Sequence, residues 1–526
     1  MLFEDLLQKH AIERPDAEAV VFKDQRITYG QYLRETDRAA MGLVKAGVKA
    51  GDKVGIYLPN RPENIFIKLG AIKIGATAVP LSWRFTPREL RFVLQNAEVS
   101  LVALTPEFLG IDLLANLQEA RKETPLLGKV VILDGKTVDG MIPYHEFLAE
   151  PGPGLEKIKA EVDENKPALF IYTSGTTGIP KAAMLTQKNM LSYAARACEV
   201  TNAQPGLGLL VNIPLNHVGG AVMGVVNSLY GGCKLVLMDV FDPQKTLQII
   251  QDEKIGIFGQ VPAQYALELL LPDIEKYDFS AVTFPIVSSQ PCPSEMIMAI
   301  KNRFGVMPLN AYGLTEVSGA ITFTAKDSPL EKLKYSVGRP INGLEMVIMN
   351  ERDEILHQGE VGEICFKGDM VMKGYWKRPD EDAKVFDRRG FFHTGDMGRV
   401  DAEGYLAIVG RKKEMFIRGG ENVYPPEIEE VIAQHPDVMM VAVIGIPDPV
   451  MGEVGRAYVV AKPGTSPTEE GIKDFLGDKL ARYKIPAEVA FRQALPLTLL
   501  GKVKKLDLYK EVELERQAKE KQNAVS

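Results

Sequence analysis

The sequence predicts an α/β protein: a large N-terminal body of βαβ layered sheets with a small distorted β-barrel, followed by a small α+β C-terminal domain. Three observations carry that prediction. Short β-rich runs alternate with helix-period segments from residue 20 to about 300; strands shorten and glycines multiply after about 335; a second strand–helix alternation follows a charged stretch at 410–414.

Taken in order, Lys53 to Leu58, Val130 to Leu133, Ala168 to Thr173, Lys234 to Met238 and Gly256 to Phe258 read as strands. Arg88 to Gln95 and Ser294 to Phe304 place apolar residues at helical intervals. Such alternation implies βαβ units and mostly parallel sheets. Gly338, Gly343, Gly359, Gly362, Gly368 and Gly374 then punctuate shorter runs, which fit an antiparallel sheet or barrel. The stretch Gly410-Arg411-Lys412-Lys413-Glu414 separates the strand-like Tyr405 to Val409 from a glycine turn at Gly419-Gly420. The expected division is therefore a body at 1–410, its antiparallel subdomain at about 335–410, a connection at 411–414 and a C-terminal domain at 415–526. There Pro425-Pro426-Glu427 opens a helix, since proline is tolerated in a first turn and acidic residues favour that end. Val441 to Ile446 and Ala457 to Ala461 read as strands, Glu469 to Leu480 as a helix, and Lys504 to Gln522 as a solvated helix.

Composition limits the function. The 526 residues, 46% hydrophobic and 25% charged, suit a soluble chain with several cores. Lys and Arg total 62 against 69 for Asp and Glu, a net charge of -7 without the basic footprint of a nucleic-acid binder. The acidic, amphipathic start Met1-Leu2-Phe3-Glu4-Asp5-Leu6-Leu7 lacks the features of a secretory signal. Asn212, Asn216, His217 and Asn227 interrupt the most apolar region, so no membrane span and a cytoplasmic location are expected. Cys198, Cys233, Cys292 and Cys365 form no C-x-x-C pair, and no two histidines fall at metal-ligand spacing.

The stretch Ile171-Tyr172-Thr173-Ser174-Gly175-Thr176-Thr177-Gly178-Ile179-Pro180-Lys181 is the most informative. Two glycines, hydroxyl side chains and a lysine follow a strand, a composition that lets backbone N–H groups, hydroxyls and a point charge surround phosphate. Pro180 before Lys181 sets it apart from a Walker loop. Composition alone leaves an ordinary Gly/Ser/Thr turn open.

The whole string resembles the signature loop of the adenylate-forming superfamily, which comprises acyl-CoA synthetases, adenylation domains and beetle luciferases. Further motifs resemble that family's in the same order: Tyr312-Gly313-Leu314-Thr315-Glu316, His393-Thr394-Gly395-Asp396, Gly410-Arg411-Lys412-Lys413, Gly419-Gly420-Glu421-Asn422-Val423-Tyr424-Pro425 and Gly501-Lys502-Val503-Lys504-Lys505. The likeness spans nearly the whole chain.

What the resemblance implies is a two-step reaction: a carboxylate attacks the α-phosphate of ATP, then a thiol displaces AMP. It implies a mobile C-terminal domain, pivoting at Lys413, that swings to serve the two steps. It places Lys502 as the cation between carboxylate and α-phosphate, a residue that by itself reads as a solvated lysine. Thr173, Ser174, Gly175, Thr176, Thr177, Gly178 and Lys181 would hold phosphates, Glu316 magnesium and Thr315 a phosphate oxygen. Tyr312 would lie against adenine beside Gly313; Asp396 would accept the ribose hydroxyls and Arg411 reach ribose or phosphate. His217, beside Val218 and Gly219, resembles the gate of the acyl pocket, where the flanking glycines and Ser318-Gly319-Ala320 leave volume for a roomy, apolar site. Gly419 and Gly420 would line the path of the pantetheine arm of coenzyme A, and Arg84 would meet its phosphate; a turn glycine and a surface arginine are the plainer readings.

The chain also departs from the family pattern. Ser288-Ser289-Gln290-Pro291 stands where Gly-Gly-Ala-Pro is usual, Ile417 replaces a lysine that some luciferase-like members use, and Leu497 and Leu500 replace the customary Arg and Ser. The resulting expectation is an AMP-forming carboxylic acid–CoA ligase using ATP, Mg and coenzyme A, in fatty-acid-type metabolism, with small molecules as partners and a homodimer compatible with the sequence. Medium-chain, aromatic or alicyclic acids are favoured over acetate. Loading of a carrier-protein thiol, a non-catalytic nucleotide-binding regulator and a light-emitting oxygenase are the alternatives, the last without a positive feature.

Overall fold

A computed structural model of the chain describes residues 1–135, 138–173, 180–288, 292, 294–477, 479–497 and 503–525, except for the side chains of 153, 294 and 518–525. It divides into two compact units, Met1–Glu345 with Phe366–Phe392, and Met346–Cys365 with His393–Ser526.

Among the described residues the first unit is built on two large sheets. The strands Glu18–Phe22, Lys234–Leu237, Gly208–Val211, Ile255–Gln260, Phe284–Ser288 and Leu309–Leu314 run parallel side by side, and antiparallel strands close each edge of this nine-stranded sheet. The second, of seven strands, pairs Pro167–Thr173, Thr77–Pro80, Lys53–Tyr57, Val99–Leu104, Lys129–Ile132 and Ile142–Pro143 in parallel. Its antiparallel edge strand is Lys181–Thr186.

Local chemistry sets the helix ends. The helix Pro87–Ala97 starts at Thr86, whose hydroxyl accepts the Glu89 N–H while Glu89 answers to the Thr86 N–H, and it stops where Glu98 turns left-handed at φ 58°. Leu90, Val93, Leu94 and Ala97 line its buried face and join Val102, Leu104 and Val130 in one core. The expected strands and helices all occur, with ends shifted by a few residues.

The second unit contains a four-stranded sheet of Glu345–Met349, Gly362–Lys367, Phe392–Val400 and Leu406–Arg411, the last two antiparallel. A further sheet orders Glu421–Val423, Phe416–Arg418, Gly452–Ala461 and Val438–Asp448, with Glu488–Phe491 parallel to Gly452–Ala461. The helix Pro425–Ala433 opens at its prolines and packs Ile428 and Ile432 into that unit's core. The terminal helix Lys505–Val525 corrects one expectation, because its first turn is not solvated: Leu508 is buried among Ile444, Tyr458 and Leu495. The amphipathic start forms the helix Phe3–Glu13, but Glu4 turns inward to pair with Lys73 (2.7 Å) and Lys159 (2.9 Å).

Two buried polar side chains fix the connection that carries His217. Asn60 donates to the carbonyls of Ile213 (3.0 Å) and Met238 (2.9 Å) and accepts the Leu215 N–H (2.8 Å), while the Lys68 amine donates to the Leu215 carbonyl (3.2 Å). The backbone N–H and carbonyl of Leu215 are thus held from the loop at Asn60 and from the helix Pro62–Lys73 that follows it. Lys68 is 2% exposed, and burial pushes its pKa down to about 7. The unfolded chain keeps that proton up to the ordinary lysine range, so rising pH from about 7 to 10 stabilises the parent protein but not Lys68→Met. The melting temperature of the variant relative to the parent is expected to be most favourable below pH 7 and to fall steadily towards pH 10.

Candidate active site

The hydroxyl- and glycine-rich stretch starts and ends in the antiparallel hairpin strands Pro167–Thr173 and Lys181–Thr186, where Thr173 and Lys181 stand opposite each other. Ser174, Gly175, Thr176, Thr177 and Gly178 lie outside the described residues. Lys181 is buried, and its amine meets Glu381 at 2.7 Å and the face of Tyr375 at 4.6 Å. Hydrogen bonds from Lys181 and Lys384 hold the Glu381 carboxyl down to about 2. A buried ammonium is costly without such a partner.

The Tyr312–Glu316 motif ends a strand and enters a tight turn. Leu309–Leu314 pairs with Gly319–Phe323 through the 3₁₀ turn Thr315–Val317 and a left-handed Ser318 at φ 67°. A Cβ on Gly313 would lie 1.8 Å from the Gly319 carbonyl oxygen, so glycine there is a demand of close strand approach. Thr315 and Glu316 are both buried. Tyr312 lies with its ring 6.3 Å from that of Phe366. Glu316 is gripped twice by the following segment: Tyr375 OH donates to its Oε1 and the Met372 N–H to its carbonyl, each at 2.7 Å. Burial, then the Glu316 carboxylate, push the Tyr375 phenol well above its usual range. Glu316, Tyr375, Lys181 and Glu381 therefore form one continuous polar chain between the turn and the hairpin.

His217 precedes Gly219–Val226, eight residues wound as a π-helix, a rare form that is frequent at functional sites. Its Nδ1 accepts the Gly219 N–H at 3.1 Å, which leaves the proton of a neutral ring on Nε2. The expectation that small residues here leave volume is corrected. A Cβ on Gly220 would lie 2.4 Å from the Pro214 carbonyl, and one on Gly319 2.7 Å from the Tyr193 ring and 3.0 Å from Met223. Ser318 is fully buried, its hydroxyl bonded to the Met370 carbonyl at 2.9 Å. These residues are small because backbone and rings crowd them. Val218 is buried beside them.

In the second unit Asp396 and Arg411 face each other across Phe392–Val400 and Leu406–Arg411 and pair at 3.1 Å, the carboxylate buried and the guanidinium half-exposed. Glu363, which sequence reasoning missed, braces both neighbours. Its Oε1 accepts the Gly395 N–H (3.0 Å), and its Oε2 meets the amine of Lys412 (3.0 Å) and Nδ1 of His393 (3.3 Å). Burial works to raise its pKa, but hydrogen bonds from His393 and Lys412 win and hold it down to about 2. Glu363, Tyr375 and Glu381 carry no local motif; only distant partners reveal them.

Lys413 sits in the turn between Leu406–Arg411 and Phe416–Arg418. Gly419 and Gly420 form a two-residue hairpin loop, φ 59° and 92°, between Phe416–Arg418 and Glu421–Val423. At Gly420 a Cβ would meet nothing within 4 Å, so its backbone angle is what requires glycine. Arg84 lies over the Trp83 ring at 4.4 Å. Lys502, Leu500 and Ser289-Gln290-Pro291 lie outside the described residues. Among the described residues no group of three or more His, Cys, Asp or Glu could hold a metal ion. A single buried carboxylate at Glu316 does fit a hard cation that takes most of its ligands from phosphate and water.

Residues 7–376 match the model of the AMP-binding enzyme family, and residues 427–502 that of the AMP-binding enzyme C-terminal domain. The chain therefore belongs to the AMP-binding, adenylate-forming superfamily. Its homologues over nearly the full length are acyl-CoA synthetases and ligases. It is 34% identical to the long-chain-fatty-acid–CoA ligase FadD13 of Mycobacterium tuberculosis, over 95% of this chain and 96% of that one. It is 33% identical to the indoleacetate–CoA ligase of Aromatoleum aromaticum, over 97% and 98%. The crystal structure of ATP-bound MatB from Rhodopseudomonas palustris superposes with a TM-score of 0.84 at 27% identity, over 97% of this chain and 99% of that one. No helix among the described residues is long and apolar enough to cross a membrane.

Glu363→Gln should show what that carboxylate contributes. Charge-assisted hydrogen bonds are worth ~2 kcal/mol each, so a clear drop in melting temperature is expected at pH 7. Because the folded pKa lies near 2, below the ordinary glutamate value of 4.5, this contribution is complete above pH 4.5 and fades as pH falls towards 2. The gap between parent and variant should close over that window in a pH series of thermal melts.

Proposed function

We propose that the protein is an AMP-forming carboxylic acid–CoA ligase. The observation that carries this reading is the chain Glu316–Tyr375–Lys181–Glu381, which ties the hairpin under the phosphate-type loop to the Tyr312–Glu316 turn. In the first half-reaction a carboxylate oxygen bonds to the α-phosphorus of ATP and the bond to pyrophosphate breaks. In the second, the coenzyme A thiol loses its proton, its sulfur bonds to the acyl carbon and AMP leaves.

Each group has a role set by charge. Thr173, Ser174, Gly175, Thr176, Thr177, Gly178 and Lys181 hold the β- and γ-phosphates, where preorganised donors and a cation act on accumulating negative charge. Lys181 then exchanges Glu381 for phosphate. Glu316 holds magnesium, which supplies charge neutralisation on the phosphates, and Thr315 donates to a phosphate oxygen. Tyr312 and Gly313 flank adenine, Asp396 takes the ribose hydroxyls and Arg411 assists. Lys502 bridges carboxylate and α-phosphate. Body 1–410 and domain 415–526 alternate about Lys413, within 411–414, and Gly419, Gly420 and Arg84 serve coenzyme A.

His217, Val218, Gly219, Ser318 and Gly319 border the acyl group. Because the small residues are crowded, missing bulk does not support the preference for medium-chain, aromatic or alicyclic acids over acetate; the indoleacetate and long-chain fatty acid named for two relatives support an aromatic or fatty acid instead. The same two names favour coenzyme A over a carrier-protein thiol. Pyrophosphate release and thioester formation across a panel of chain-length and ring acids, with coenzyme A or a carrier protein as acceptor, tests the whole reading. Release of no pyrophosphate with any acid would leave a nucleotide-binding regulator instead.

Lys502→Ala is expected to lower single-turnover adenylate formation by at least about a hundredfold, the scale of a lost transition-state contact. Thioester formation from supplied acyl-AMP should stay within about threefold of the parent. Equal loss of both half-reactions would remove Lys502 from the first step.

A further inference from the structure

A lysine at the first position of a helix meets the positive end of the helix dipole, where cations are disfavoured. Lys505 occupies that position in Lys505–Val525, with only 14% of its side chain exposed. It therefore breaks two local rules at once, and its surroundings supply the compensation. Its amine lies 2.9 Å from Glu414 and 2.7 Å from Glu429. Burial works to lower the lysine's pKa, but the two carboxylates outweigh it and keep the cation charged.

The two carboxylates belong to different elements. Glu414 lies in the turn directly after Lys413, with its N–H on the Arg411 carbonyl at 3.0 Å. Glu429 lies in the helix Pro425–Ala433, and its Oε1 also accepts the Val443 N–H of the central sheet at 2.7 Å. One ammonium thus joins the turn, a helix and the start of the last helix. On its N-terminal side the chain is closed by a bridge between Leu497 and Val503 and by the Lys504 N–H on the Pro496 carbonyl at 2.7 Å. Leu495 and Val503 pack in the same apolar cluster as Leu508. Lys502 is the residue immediately before that bridge. Apolar packing alone would anchor Val503 to the sheet; the ion cluster adds a tie to the turn at Glu414.

We propose that Lys505 is a positioning residue for adenylate formation, its ammonium tying the start of the last helix and Val503, which directly follows Lys502 in the chain, to the turn that follows Lys413. This rests on the proposed role of Lys502. A surface ion pair would serve stability alone and contribute little. A buried, doubly paired lysine fixes geometry, and misplacing a group by about 1 Å costs on the order of a hundredfold.

The test uses the full-length protein and four variants: Lys505→Met, Lys505→Arg, Glu414→Gln and Lys502→Ala. Each half-reaction is measured in single turnover with an acid found active in the panel above, and each variant's melting temperature is recorded. Lys505→Met should lower adenylate formation by about tenfold or more, with thioester formation from acyl-AMP within about twofold and Lys505→Arg returning most of the loss. Glu414→Gln keeps Glu429 in place and should give the same selective loss in smaller measure, which keeps the idea testable if Lys505→Met folds poorly. Equal loss of both half-reactions in proportion to a lowered melting temperature would make the cluster merely structural and overturn the proposal. So would parental adenylation in both Lys505→Met and Glu414→Gln while Lys502→Ala is defective. If Lys502→Ala itself adenylates normally, the role assigned to Lys502 falls and takes this proposal with it.

Discussion

A buried cation has to be neutralised by a partner that meets it directly, and in a dry interior that requirement is strict. At Lys181 it is met by Glu381, 200 residues further along the chain. Satisfying that one charge brings the helix Pro379–Val385 against the base of the hairpin. The intervening segment then runs beside Lys181–Thr186, with Met184 and Gly374, Lys373 and Met184, and Trp376 and Ala182 exchanging backbone hydrogen bonds. Tyr375 is thereby carried to Glu316. The turn of the second motif is consequently positioned by the lysine of the first. In the proposed reaction the same ion pair is the one that phosphate replaces.

The glycines and serines around this region answer to the same crowding. Gly313 permits two backbones to approach, Gly319 admits the Tyr193 ring, and Gly220 admits the Pro214 carbonyl. An interior packed to crystal-like density fills the space a missing side chain frees. Absence of bulk in a sequence is for this reason a poor measure of a pocket. The connection bearing His217 is held instead by polar groups, Asn60 and Lys68, that bond to its peptide groups directly.

The second unit repeats one device with different residues. Glu363 gathers the Gly395 N–H, Lys412 and His393 behind the Asp396–Arg411 pair, and Glu414 with Glu429 gathers Lys505 at the foot of the last helix. In each case carboxylates, buried at Glu363 and partly exposed at Glu414 and Glu429, fix cations and backbone next to a residue with a proposed task. Such polar clusters lose most if half satisfied, which makes them stiff. They position neighbours more than they add net stability.

The sequence by itself determined the layered α/β class, the strand and helix runs, the helix start at Pro425, and the ordered motifs that mark the superfamily, because those signals are local in period, first-turn chemistry and string. It also placed Thr173 at a strand end, and the resemblance assigned Asp396 and Arg411 to one nucleotide, since each lies within a short motif. Only the tertiary structure decided that Tyr375 grips Glu316, that Glu381 neutralises Lys181, that Glu363 braces Gly395 and Lys412 beside Asp396 and Arg411, and that the first turn of the last helix is an ion-clamped anchor rather than a solvated stretch. Those partners stand 32 to 200 residues apart or carry no pattern of their own. A buried charge selects its counter-charge by proximity in space, and that proximity is fixed by strand pairing and packing, which no local spacing encodes.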